Sequence, residues 1–118
     1  MRVLFVDNHA EFTASVVPLF LARHDVVVVP TIAAAKQQVD STTFDVVLVD
    51  YDLDDGKGDE LVRWIRRSGA SVKLLAVSAR DTGNEALVSA GVDAVCSKLN
   101  FSSIETVLRQ VAATSNST

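Results

Sequence analysis

Five short apolar runs, rich in β-branched residues, alternate along the chain with stretches whose apolar positions recur every three or four residues. The runs Val3 to Val6, Val26 to Val29, Phe44 to Val49, Lys73 to Val77 and Val92 to Cys96 predict five strands. They scarcely alternate polar with apolar, which is the pattern of strands covered on both faces of a parallel sheet. Phe12, Val16, Leu19 and Phe20 predict a first helix, and Ile32 to Val39 a second behind a Thr31 N-cap. A third begins near Gly58 or Asp59, turns Leu61, Val62 and Ile65 inward, carries Arg66 and Arg67 in its last turn and stops at Gly69. A fourth ends at Gly91, and Ile104, Val107, Leu108 and Val111 form the stripe of a fifth. Asn8 with Glu11, Thr82 with Glu85 and Ser102 with Glu105 read as capping boxes. Pro18 lacks the N–H a helix interior needs, so a kink or a broken ladder is expected there, and Arg23 and His24 are expected to face the dipole at that helix's end. Strand and helix in strict alternation, with short connections, imply an α/β fold: a doubly wound five-stranded parallel sheet with helices on both faces.

Composition narrows the function classes more than it names one. At 118 residues the chain is expected to form one domain, 1–118, with the polar stretch Thr114 to Thr118 as a frayed end or the start of a linker. A formal charge of −4 lacks the basic balance that nucleic-acid binding rests on, so no direct nucleic-acid contact is expected. Pro18, Arg23, His24 and Asp25 interrupt the longest apolar stretches, so no membrane span is expected and the cytoplasm is the default compartment. The single Cys96 rules out an intrachain disulfide and reads as core packing.

The chemistry gathers where the strands stop. Phe44 to Gly58 reads FDVVLVDYDLDDGKG, an apolar strand that delivers carboxylates to its carboxyl end and then turns through two glycines. The first strand ends at Asp7 and Asn8, the fourth at Ser78, and the fifth leads to Lys98. In a parallel sheet these ends share one edge, which is where open α/β sheets bind ligands. Carboxylates plus a bound phosphate suit Mg²⁺, an ammonium balances phosphate charge, and a hydroxyl can donate to it. At such a rim water can replace a lost partner, so substituting Lys98 or Ser78 is expected to change stability by no more than about 1 kcal/mol.

With FVDN at 5–8, VLVDYDLDDGKG at 47–58, AVSA at 76–79 and CSKL at 96–99, in that order, nearly the whole chain resembles the receiver domains of bacterial two-component response regulators, the chemotaxis receiver among them. The resemblance implies a flavodoxin-like sheet of order 2-1-3-4-5. It also implies a phosphorylation-dependent signalling switch, with Asp50 as the phosphoacceptor for a histidine kinase or phosphotransfer protein and an output domain or protein downstream. Asp7, Asn8, Asp50 and the backbone carbonyl of Asp52 are the implied Mg²⁺ ligands, and Ser78 and Lys98 the implied contacts to the phosphoryl group. The only catalysis implied is of the domain's own phosphorylation and dephosphorylation.

Four positions depart from the family pattern. Asn8 stands for a second acid, Asp54 for a loop proline, Leu99 for a cis proline after the lysine, and Val95 for a switch aromatic. Asn8 weakens the expected metal site, and Leu99 disfavours a cis peptide by about 2.5–4 kcal/mol. Two alternatives follow: a receiver-like interaction module that is not phosphorylated, and a small phosphatase of the haloacid-dehalogenase type, which the Asp50-Tyr51-Asp52 sequence resembles.

Overall fold

In the computed structural model, which describes residues 1–114, the five predicted strands form one parallel sheet. They are β1 (Arg2–Val6), β2 (Asp25–Val29), β3 (Val46–Val49), β4 (Lys73–Ala76) and β5 (Ala94–Val95), in the order β2-β1-β3-β4-β5. The helices between and after them are α1 (Ala10–Phe20), α2 (Ile32–Ser41), α3 (Gly58–Arg67), α4 (Asp81–Ala90) and α5 (Ile104–Thr114). This is the flavodoxin-like arrangement the resemblance implies, with a reversal of strand order between β1 and β3.

Strand pleating sorts alternate side chains onto two cores. Leu4, Val6, Val47, Val49, Leu74 and Ala76 face Ile32 and Ala35 of α2, Leu61, Val62 and Ile65 of α3 and Leu87 of α4. Val3, Phe5, Val46, Leu48, Leu75 and Val77 face Val16 of α1 and Ile104, Leu108 and Val111 of α5. Phe101 stacks on Phe5 with ring centroids 5.7 Å apart. Leu19 does not join this core and lies exposed.

Helix starts depart from the sequence reading more than strands do. Thr31 caps α2 as expected, its Oγ1 accepting the Ala34 N–H at 3.1 Å, and the Asp55 carboxylate accepts the Ile32 and Ala33 N–H groups at 2.8 and 3.0 Å. None of the three capping boxes forms. Asn8 sends its amide to Asp54 at 2.8 Å and His9 occupies the N-cap of α1. Arg80, with no capping side-chain bond, precedes α4. Two short 3₁₀ turns within Lys98–Ser103, separated by a kink at Asn100, lead into α5, and Glu105 pairs with His24.

Pro18 is exposed in the last turn of α1, which continues through it, so the loss is confined to the one bond its nitrogen cannot make to Ala14. Leu21 N–H still reaches Val17 O at 2.9 Å. Arg23 and His24 lie beyond the end of that helix, which has no basic residue in its last turn. A two-residue hairpin, Asp52–Leu53 against Gly56–Lys57, was not expected from the sequence, although Asp55-Gly56 is a turn signal. No helix among the described residues is long and apolar enough to cross a membrane, and none of their peptide bonds is cis. Of the polar C-terminal stretch, residues 115–118 lie outside the described residues.

Candidate functional site

Parallel register brings the strand ends together. Val6 pairs with Val49 and Val49 with Ala76, so the residues that follow leave the sheet side by side. Asp7 N–H donates to Val29 O at 3.0 Å, Asp50 N–H to Val6 O at 2.9 Å and Val77 N–H to Val49 O at 2.9 Å. These last rungs fix the backbone under Asp7, Asp50 and Ser78, all three of which are buried. Gly58, at the start of α3, completes the floor: its N–H meets Tyr51 O at 2.6 Å, and a Cβ there would stand 2.0 Å from Asp50 O.

Lys98 closes the site from the β5 side. Its ammonium lies 2.8 Å from Asp7 Oδ2 and 3.1 Å from Asp50 Oδ2, and 4.9 Å from the centre of the Phe12 ring. Both carboxylates are almost wholly buried, at 0% and 4% exposure, and the lysine side chain is only 9% exposed. The water-washed rim expected from the sequence is therefore absent at this point, because the two carboxylates, His9 and the Phe12 ring of α1 surround the ammonium. Burial, followed by the neighbouring Asp7 charge, pushes the Asp50 pKa up, and Lys98 pulls in the opposite direction.

Ser78 stands at the same edge with its hydroxyl accepting the Arg80 N–H at 3.3 Å. Its backbone is held at both ends by Asn84, a buried residue of α4 that the sequence reading missed: Asn84 Oδ1 accepts the Ser78 N–H and Nδ2 donates to Ser78 O, each at 3.0 Å. Gly83 leaves room for the hydroxyl, since a Cβ there would lie 2.7 Å from Ser78 Oγ. Asp52 sends its side chain outward to Lys57 and Arg80, which tethers the β3–α3 and β4–α4 connections across the mouth. Those two cations lower its pKa, Lys57 foremost.

The donor set suits a hard divalent cation. Asp7 Oδ2 is buried with the Lys98 ammonium beside it but no well-directed hydrogen bond, and Asn8 Oδ1 is buried and receives no hydrogen bond among the described residues. Two carboxylates with a spare amide oxygen are the ligand type Mg²⁺ prefers. His9, absent from the sequence-predicted set, also reaches the site: its Nδ1 is 3.1 Å from Asp7 Oδ1 and 3.4 Å from Asp50 Oδ2. The signal available was its place two residues beyond Asp7, at the same strand end.

Known proteins share this fold. The family model of the response regulator receiver domain matches residues 3–109. A two-component response regulator from Clostridium difficile superposes with a TM-score of 0.85 at 17% identity, covering 98% of both chains. A CheY-like receiver domain protein from Methanospirillum hungatei JF-1 gives 0.83 at 19% identity, over 99% of this chain and 98% of its own. A response regulator from Thermotoga maritima, solved in complex with Mg²⁺ and BeF, gives 0.83 at 19% identity over 93% and 97%. None of the curated proteins matches this chain. At these identities the structural matches speak for the fold, and the family model, spanning nearly all of the sequence, speaks for kinship: this chain belongs to the response regulator receiver domain family.

Proposed function

We propose that the domain is a phosphorylation-dependent switch that accepts a phosphoryl group on Asp50 from the phosphohistidine of a kinase or phosphotransfer protein. The observation that carries this reading is the Asp50 carboxylate, buried at the carboxyl end of β3 with one oxygen 3.1 Å from an enclosed ammonium. Attack by that oxygen forms an O–P bond as the P–N bond breaks, and the departing imidazole keeps the electron pair and takes a proton. Little covalent chemistry is asked of the protein; positioning and charge neutralisation suffice. Lys98 faces the incoming phosphoryl oxygens, and the Ser78 hydroxyl can donate to them once it turns from the Arg80 N–H. Asp7, Asn8, Asp50 and the Asp52 carbonyl are the residues to hold Mg²⁺, which when bound supplies positive charge against the phosphoryl oxygens. The signal then passes by protein–protein contact to an output domain or protein.

Family membership favours this reading over the phosphatase alternative. The constitutive interaction module keeps one observation in its favour: Asn8 brings no charge and its amide is tied to Asp54. Intact mass after incubation with acetyl phosphate and Mg²⁺ separates the two. One added phosphate on the native protein and none on Asp50→Asn is expected; a stable phosphate on the substituted protein would remove Asp50 as the acceptor, and none on either would favour the module.

A further inference from the structure

His9 is a pocket residue that the family's oxygen-ligand set leaves out. Its ring is exposed at the mouth, yet Nδ1 points at both buried carboxylates, and one donor atom from each of Asp7, His9 and Asp50 lies within 4.8 Å of the other two. Ligands about 2.0–2.2 Å from a small divalent ion stand roughly 3.0–3.5 Å from one another in octahedral or tetrahedral geometry. The separations of 3.1 and 3.4 Å from Nδ1 to the two carboxylates fall in that range.

The hydrogen bonds around Nδ1 cannot all be satisfied at once. Lys98 Nζ lies 2.9 Å away and is only a donor, so that contact needs a lone pair on Nδ1. Asp7 Oδ1, at 3.1 Å, is only an acceptor when ionised, so that contact needs a proton on Nδ1. A cation held among them satisfies the lone pair and both carboxylates together, with the ammonium withdrawn toward the Phe12 ring it already faces. Asn8, where a second acid is usual, offers a neutral amide oxygen in place of a charged one.

We propose that His9 Nδ1, with Asp7 and Asp50, makes this pocket selective for a borderline first-row ion such as Co²⁺ or Zn²⁺ over Mg²⁺. The proposal rests on the reading above only in that the pocket binds a divalent cation. Imidazole nitrogen favours the later first-row ions, whereas Mg²⁺ takes oxygen and keeps its water.

The test uses the unphosphorylated full chain, titrated with Co²⁺ by visible absorption and with Mg²⁺ by calorimetry. His9→Ala, at a position whose side chain is 58% exposed and makes no cap bond to α1, is expected to keep the fold, checked by circular dichroism. It is expected to weaken Co²⁺ binding by about tenfold or more and Mg²⁺ binding by less than about twofold. Asp50→Asn should also weaken Co²⁺. His24→Gln, which removes the chain's other histidine, should not. An unchanged Co²⁺ to Mg²⁺ preference in His9→Ala, or loss of Co²⁺ binding in His24→Gln instead, overturns the proposal. Phosphorylation is read separately by mass, so failure of Asp50 to accept phosphate would sink the signalling role while leaving a His9-dependent metal preference standing.

Discussion

Burial and the Asp7 charge both push the Asp50 pKa upward, against the pull of Lys98, so the folded protein holds that proton more tightly than the unfolded chain does. Between the ordinary carboxylate value of 3.8 and the raised folded value, the native state binds more protons, and stability falls as pH rises. Above the folded value the loss is complete and constant. Asp50→Asn is therefore expected to be more stable than the native protein near about pH 7, with the gap closing as pH falls toward about 4. Urea denaturation of both proteins across that range checks it, and a gap that widens on acidification would contradict the sign. Lys98→Met should act in the opposite direction, because it leaves two buried carboxylates facing each other without a counter-charge. A loss of about 3 kcal/mol or more is expected at neutral pH, shrinking in acid. That replaces the small change expected from a solvated rim, and a measured loss below about 1 kcal/mol would restore the earlier picture.

At the scale of the elements, the ends of the strands carry the site and the starts of the helices adjust to it. Gly58 shows how little slack there is, because the start of α3 sits on the Asp50 carbonyl with no room for a methyl group. Gly58→Ala is expected to cost roughly 4 kcal/mol or to prevent folding, since the obstacle is backbone rather than a side chain able to turn away. Chemical denaturation gives the value, and a change within about 1 kcal/mol would mean that the hairpin before α3 shifts freely. The strands were legible because continuous β-branched runs have one economical use, burial in a two-sided sheet. The helix caps were less so, because a capping side chain is chosen by whichever partner is nearest in space. Asn8 found Asp54, Glu105 found His24, and α2 drew a second anchor from Asp55, each across a distance that local spacing does not encode. Asp7, Asp50, Ser78 and Lys98 could be read at strand ends; His9 carried only the weak signal of its place just past Asp7, and Asn84, inside a helix, carried none until the chain was folded.

Across the whole molecule, the two cores meet at the sheet, and Ser78 sits where β4, α4 and the segment after β5 converge. Its carbonyl accepts from Asn84 Nδ2 at 3.0 Å, the Lys98 N–H at 3.2 Å and Ser97 Oγ at 3.3 Å, while its N–H is held by Asn84 Oδ1. Asn84→Ala removes both buried side-chain bonds and strands the Ser78 N–H, for an expected loss of about 2 kcal/mol in thermal or chemical unfolding. Little or no loss would mean that water takes over both contacts. The consequence is mechanical. The Ser78 backbone works as a pin joint shared by three bodies, so a tug on its hydroxyl is not absorbed by a loose loop. A small stroke at that pin is handed to α4 and to the chain beyond β5 together, like one crank turning two arms, and with the pin loosened the arms would turn out of step.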